Sequence, residues 1–130
     1  MLVIEDNADA AHSLKEALEM DSRVAVEIAQ TGAEGVGKEG AFHPDVVLCD
    51  IGLPGLDGNG VARAMRASAE LRSTYLVTLS GYASQEDVDR SREAGFDRHV
   101  AKPPDLTALG QLVASARAAP AGQLPTTYID

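Results

Sequence analysis

Four short strand-like runs in this 130-residue chain each end on a residue that can carry charge or a hydrogen bond. "MLVI" (1–4) runs into Glu5 and Asp6, "VVLC" (46–49) into Asp50, "YLVTL" (75–79) into Ser80, and "DRHVA" (97–101) into Lys102 and Pro103. Singly, an acid at the end of an apolar run is an ordinary cap or turn residue. Three acids, a hydroxyl and an amine on one rim need another reason. Crowded carboxylates repel and raise one another's pKa, and a hard divalent cation is the usual compensation. Mg²⁺ takes one or two carboxylates and completes its shell with waters, carbonyls and phosphate oxygens. The Gly52 carbonyl, on the loop just past Asp50, is placed to join such a shell. Lys102 offers a point charge to a phosphoryl oxygen, and Ser80 offers a hydrogen bond. This set would stabilise a transferring phosphoryl group, with Asp50 as the nucleophile that forms an acyl phosphate.

The elements that must hold these residues alternate along the chain. Strands are expected at 1–6, 23–30, 45–49, 75–80 and 97–102. In the second, Val24, Val26 and Ile28 alternate as on a half-buried face. Between and after them, helices are expected at 7–20, 31–43, 59–72, 84–95 and 105–119. Ala10, Ala11, Leu14, Ala17 and Leu18 share one face of the first. Thr31 caps the second, with Glu34 three residues on. The third turns Val61, Ala64, Met65 and Leu71 inward, with Ser68 on the same face. Ser84 caps the fourth, Glu86 and Asp87 lie in its first turn, and Gly95 stops it. The fifth turns Leu106, Leu109, Leu112, Val113 and Ala116 inward. Five βα repeats with long crossovers give a doubly wound α/β fold with a parallel sheet, whose site lies beyond the carboxyl ends of the strands.

Bulk properties narrow the function further. The net charge of −9 argues against a phosphate-backbone footprint, so direct nucleic-acid binding is not expected. No apolar run is long enough to span a bilayer and no signal peptide opens the chain, so no membrane contact and a cytoplasmic location are expected. The one cysteine, Cys49, excludes an internal disulfide and reads as core. His12 and His43 read as solvated surface residues. Residues 120–130 have no periodicity and read as a tail or the start of a linker after a domain at 1–119.

The strand-end motifs, in order and spacing, resemble those of the CheY-like receiver domain of two-component response regulators. They are Glu5-Asp6, "LCDIGLPGLDG" around Asp50, "LSGYAS" with Ser80, and "HVAKPPD" with Lys102-Pro103. The resemblance implies a flavodoxin-like (βα)5 fold of strand order 2-1-3-4-5. It implies Asp50 as phosphoacceptor, and Mg²⁺ held by Asp6, Asp50, the Gly52 carbonyl and, through water, Glu5. It implies phosphoryl contacts from Ser80 and Lys102, switch positions at Ser80 and His99, and a cis Lys102–Pro103 bond. The partner implied is a sensor histidine kinase or a histidine phosphotransfer protein. Phosphorylation would alter the face built from 84–95, 97–102 and 105–119, through which a homodimer could also form. Such a bacterial module is a signalling phosphoacceptor, catalysing only its own phosphorylation and dephosphorylation, either free-standing or as the receiver of a hybrid kinase or fusion. No DNA-binding region follows residue 119, so transcription is not the expected output of this segment. Glu-Asp replaces the commoner Asp-Asp pair, and His99 replaces a usual Tyr or Phe. For His99 two readings stay open, a switch residue and an exposed histidine at a loop edge.

Two rivals need weighing. "GAEGVGKE" (32–39) nearly spells a nucleotide-binding P-loop, but Glu39 stands where the metal-binding hydroxyl belongs and would repel phosphate. The glycines there read instead as marks of a weak helix. A receiver-like interaction module that is never phosphorylated would show a damaged acid cluster, and here the cluster is complete.

Overall fold

Runs that are apolar at every position become strands buried on both faces, and the longer amphipathic segments become the helices that cover them. The computed structural model describes residues 1–22, 25–42, 44–51, 57–68, 74–81, 84–102 and 104–118. Its elements alternate as β1 (Leu2–Ile4), α1 (Ala8–Ser22), β2 (Glu27–Ala29), α2 (Gly32–Phe42), β3 (Val46–Asp50), α3 (Gly58–Ala67), β4 (Tyr75–Ser80), α4 (Gln85–Ala94), β5 (Arg98–Ala101) and α5 (Leu106–Ala118). The strands form one parallel sheet in the order β2-β1-β3-β4-β5. One face packs Leu2, Ile4, Val47, Cys49 and Leu76 against Val61, Ala62 and Met65 of α3, with Ala94 and Phe96. The other packs Val3, Val46, Leu48, Val77 and Leu79 against Leu14 and Leu18 of α1 and Leu109 and Val113 of α5. This is the doubly wound arrangement expected.

The helix starts follow the capping chemistry of the sequence. Asn7 Oδ1 accepts the Ala10 N–H at 3.0 Å, Thr31 Oγ1 accepts Glu34 N–H at 3.0 Å, and Asp105 Oδ1 accepts Ala108 N–H at 3.1 Å. Ser84 and Asp87 close a reciprocal capping box on α4, and Gly95 ends that helix at φ 122°. Glu34 reaches back one residue further than expected, to the Gln30 N–H.

Some details differ from the sequence reading. α3 starts at Gly58 rather than 59, because Asp57 caps it by accepting the Gly60 N–H at 2.8 Å. Its buried face holds Ala62, while Ala64 is exposed. It ends at Ala67, and Leu71 lies outside the described residues. Leu106 is 39% exposed rather than inward. Val26, just before β2, is buried, but Ile28 is only half-buried, and Ala29 packs on the opposite face; Val24 is outside the described residues. The strand lies at the sheet edge, so neither face is fully covered.

The glycines of α2 are not a sign of weakness alone. A Cβ on Gly35 would run into the Ile4 side chain, so the glycine lets α2 lie close on β1. The "GAEGVGKE" segment is helical from Gly32, not a loop that could wrap phosphates, which removes the P-loop reading.

Candidate functional site

The sheet register gathers the strand-end residues. Ile4 pairs with Cys49, so Glu5 sits beside Asp50. Asp50 pairs with Leu79, one residue before Ser80, and Ser80 pairs with Ala101, one residue before Lys102. Backbone bonds extend the rows past the strands: Glu5 N–H to Ala29 O at 3.0 Å, Ile51 N–H to Leu79 O at 3.0 Å, and Lys102 N–H to Ser80 O at 2.9 Å. Glu5, Asp50, Ser80 and Lys102 therefore line one carboxyl-end rim.

On this rim, oxygens of Glu5, Asp6 and Asp50 lie within 4.8 Å of one another. Lys102 Nζ is 3.0 Å from Asp50 Oδ2 and 3.8 Å from a Glu5 oxygen. Glu5 is only 7% exposed, whereas Asp6 faces solvent. Burial pushes the Glu5 carboxyl up to about 7, helped by its hydrogen bond to Asp50 and by the Asp50 charge, and opposed by Lys102. The second Glu5 oxygen, Oε2, is buried with no hydrogen-bond partner among the described residues. Hard oxygen donors around an unsatisfied buried carboxylate oxygen suit a hard divalent cation, and exposed Asp6 leaves room for retained waters.

Two hollows border the rim. A cleft of about 490 Å³ lies between α1 and the start of α5, lined by Ala10, Leu14, Leu79 and Leu106 with Glu5 and Lys102 at one end. A smaller cavity of about 210 Å³ lies under α4, lined by Ile51, Asn59, Ser80, Asp87, Ser91 and His99 among others.

These observations place Glu5, Asp6, Asp50, Ser80 and Lys102 together as the sequence led one to expect. His99 is 2% exposed, so the reading of an exposed loop-edge histidine is wrong; its place in β5 turns the ring under α4. Gly52, Pro103 and the Lys102–Pro103 bond lie outside the described residues, as do His43 and residues 120–130. His12 is exposed and Cys49 is buried, with its thiol pushed far up by that burial. Sequence reasoning missed Asp57, whose Asp-Gly pair just before a helical run was the available signal. It also missed Arg66, which ties α3 to the far end of the sheet. Arg66 donates to Gly95 O at 2.9 Å, Thr74 O at 2.8 Å and Asp97 Oδ2 at 2.7 Å.

Residues 1–114 match the sequence model of the response regulator receiver domain. The chain belongs to that family. It is a CheY-like receiver, a phosphoacceptor module of two-component signalling. Among curated relatives, it is 33% identical over 126 residues to protein-glutamate methylesterase/protein-glutamine glutaminase 5 of Myxococcus xanthus, covering 92% of this chain and 36% of that protein. It is 34% identical over 118 residues to the transcriptional regulatory protein PrrA of Mycobacterium leprae, covering 91% and 48%. The receiver thus spans less than half the length of these two relatives. Among solved structures, the signal receiver domain of a signal transduction histidine kinase from Syntrophus aciditrophicus superposes with a TM-score of 0.80 at 26% identity, covering 95% of each chain. Among the described residues no helix is long and apolar enough to cross a membrane.

Proposed function

We propose that Asp50 accepts the phosphoryl group from a phosphohistidine. The observation that carries this reading is the position of Asp50 between Lys102 Nζ, 3.0 Å away, and the carboxylates of Glu5 and Asp6. An Asp50 oxygen attacks phosphorus, the P–N bond breaks, and the acyl phosphate forms as the imidazole leaves with a proton. Lys102 Nζ, which pairs with Asp50 Oδ2, faces the charge on the transferred oxygens. Ser80, at the end of the neighbouring strand, donates its hydroxyl to one of those oxygens. Glu5, Asp6 and Asp50 would hold Mg²⁺, with the Gly52 carbonyl as a further ligand. When bound, the ion neutralises negative charge on the carboxylates and on the phosphoryl oxygens. The cleft between α1 and α5 opens beside these carboxylates and gives the phosphohistidine-bearing partner an approach to them.

The readout is assigned to α4, β5 and α5. α4 buries little apolar surface, chiefly Val88 and Ala94, and the cavity beneath it is bounded by Ser80 and His99. Drawing Ser80 toward a phosphoryl group changes the wall of that cavity, and α4 is the element with least packing to resist. The same face is the proposed surface for a homodimer. It serves either alone or as the receiver of a hybrid kinase or fusion protein, with the output supplied by whatever it contacts.

Incubation with Mg²⁺ and acetyl phosphate should add one phosphoryl group to wild type and none to Asp50→Asn. Labelling of Asp50→Asn at the wild-type rate would remove the assignment. Hydrogen exchange with and without beryllofluoride should change most in α4, β5 and α5, and equal changes over all five helices would contradict the readout.

A further inference from the structure

Gly58, the first residue of α3, is pressed against the end of β3. Its N–H donates to the Ile51 carbonyl at 3.3 Å. A Cβ at position 58 would lie 2.8 Å from Ile51 Cα, 2.9 Å from the Asp50 carbonyl oxygen and 3.4 Å from Ile51 O. All three atoms are backbone, so no side-chain rotation can relieve the contact. Among the described glycines only Gly95 has a positive φ, so position 58 needs space and not conformational freedom.

The surroundings decide what would yield to an added methyl group. α3 is held by Val61, Ala62 and Met65, all fully buried, and by the Asp57 cap. β3 is paired to both β1 and β4 as far as Cys49. Asp50 pairs opposite Leu79 of β4, and the Ile51 N–H donates to Leu79 O. The two residues that Gly58 touches stand at the carboxyl end of β3, and one of them is Asp50.

We propose that Gly58 is a positioning residue for Asp50: the missing side chain at the start of α3 sets where the Asp50 carboxylate stands relative to Lys102 and the acidic pair. The catalytic meaning of this rests on the reading of Asp50 as phosphoacceptor. Opening a 2.8–2.9 Å contact to ordinary van der Waals distance moves the backbone by about half an ångström, the scale at which a reactive constellation loses its alignment. The rate of phosphoryl acceptance in Gly58→Ala should fall about tenfold or more, since misplacements of this order are costly in oriented reactions.

The test compares Gly58→Ala with Met65→Ala in the full chain. Met65→Ala weakens the packing of α3 without touching Asp50. The readouts are NMR shifts of Asp50, Ile51 and the Lys102 ammonium, a Mg²⁺ titration, and the acetyl phosphate labelling rate at saturating metal and donor. Gly58→Ala should shift Asp50 and Ile51, bind Mg²⁺ more weakly, and label slowly even at saturation. Met65→Ala should melt lower yet bind Mg²⁺ and label as wild type does. The proposal is overturned if Gly58→Ala matches wild type in shifts and metal binding, or if both variants lose labelling in proportion to lost stability. It is also overturned if neither Gly58→Ala nor Gly58→Ser folds, since the glycine is then purely structural. Should wild type itself not be labelled on Asp50, the phosphoacceptor reading fails, while the shifts and the Mg²⁺ titration still decide the positioning claim.

Discussion

Replacing Glu5 by Gln should make the metal-free protein more stable at neutral and alkaline pH, and not at acidic pH. Glu5 is 7% exposed, and burial together with Asp50 raises its carboxyl from the ordinary 4.5 to about 7. Between those two values the folded chain keeps a proton that the unfolded chain has released. Stability therefore falls as pH rises through this window, and the penalty is complete above about pH 7. At about 1.4 kcal/mol per pH unit, the gap from 4.5 to about 7 amounts to about 3 kcal/mol. Glutamine keeps the shape, cannot ionise, and leaves Lys102 its closer partner Asp50 at 3.0 Å. Urea denaturation of both proteins in EDTA, from pH 4 to pH 8.5, measures the effect. The two curves should nearly coincide at the acidic end and separate in favour of Glu5→Gln by about 2–3 kcal/mol at pH 8. A difference that stays flat across pH 5 to 8 would refute the reasoning, because the Glu5 carboxyl would then titrate alike in both states.

Arg66→Ala should destabilise the chain by about 2–4 kcal/mol, since it breaks three hydrogen bonds, one of them within an ion pair that is only about a quarter exposed. Its Mg²⁺ affinity should match wild type, because these contacts lie at the starts of β4 and β5, away from the site; chemical denaturation and a metal titration check both halves. Mg²⁺ at ten times its dissociation constant should stabilise wild type by about 1.4 kcal/mol, and Asp6→Asn should need a higher Mg²⁺ concentration for the same gain in melting temperature. Gly95→Ala should cost about 1–3 kcal/mol in denaturation experiments, because φ is 122° there and its Cβ would meet Arg66 Cγ at 2.6 Å.

Strand ends and caps were legible in the sequence because they depend on neighbours in the chain. Asp50 after "VVLC", Ser84 before α4 and Gly95 after it follow from local chemistry. The meeting of Glu5 with Asp50 depends on the Ile4–Cys49 register, a contact between segments 45 residues apart, and only the βα pattern as a whole implied it. Which acid would carry the raised pKa was not legible at all. It is Glu5, because the depth of each carboxylate is set by the tertiary fold. Gly35 reads as a weak-helix signal and Gly58 carries no signal of its own, yet the space beside each is filled, by Ile4 for one and by the Asp50–Ile51 backbone for the other. Periodicity placed Leu106 inward but could not show that the helix start it occupies borders a cleft. His99 lies within β5, whose burial is settled by α4 above it rather than by the polarity of the residue.

The central claim is that Asp50 is the residue phosphorylated, and trapping the adduct tests it most directly. An acyl phosphate is reduced by borohydride, whereas a free carboxylate is not, so the modified aspartate becomes homoserine. After incubation with Mg²⁺ and acetyl phosphate, reduction and peptide mass spectrometry should find homoserine at position 50. Omitting Mg²⁺ should sharply reduce the yield. Homoserine at Asp6 or Asp57 with Asp50 unchanged, or recovery of intact aspartate at all three positions from a protein that had gained phosphate, would contradict it.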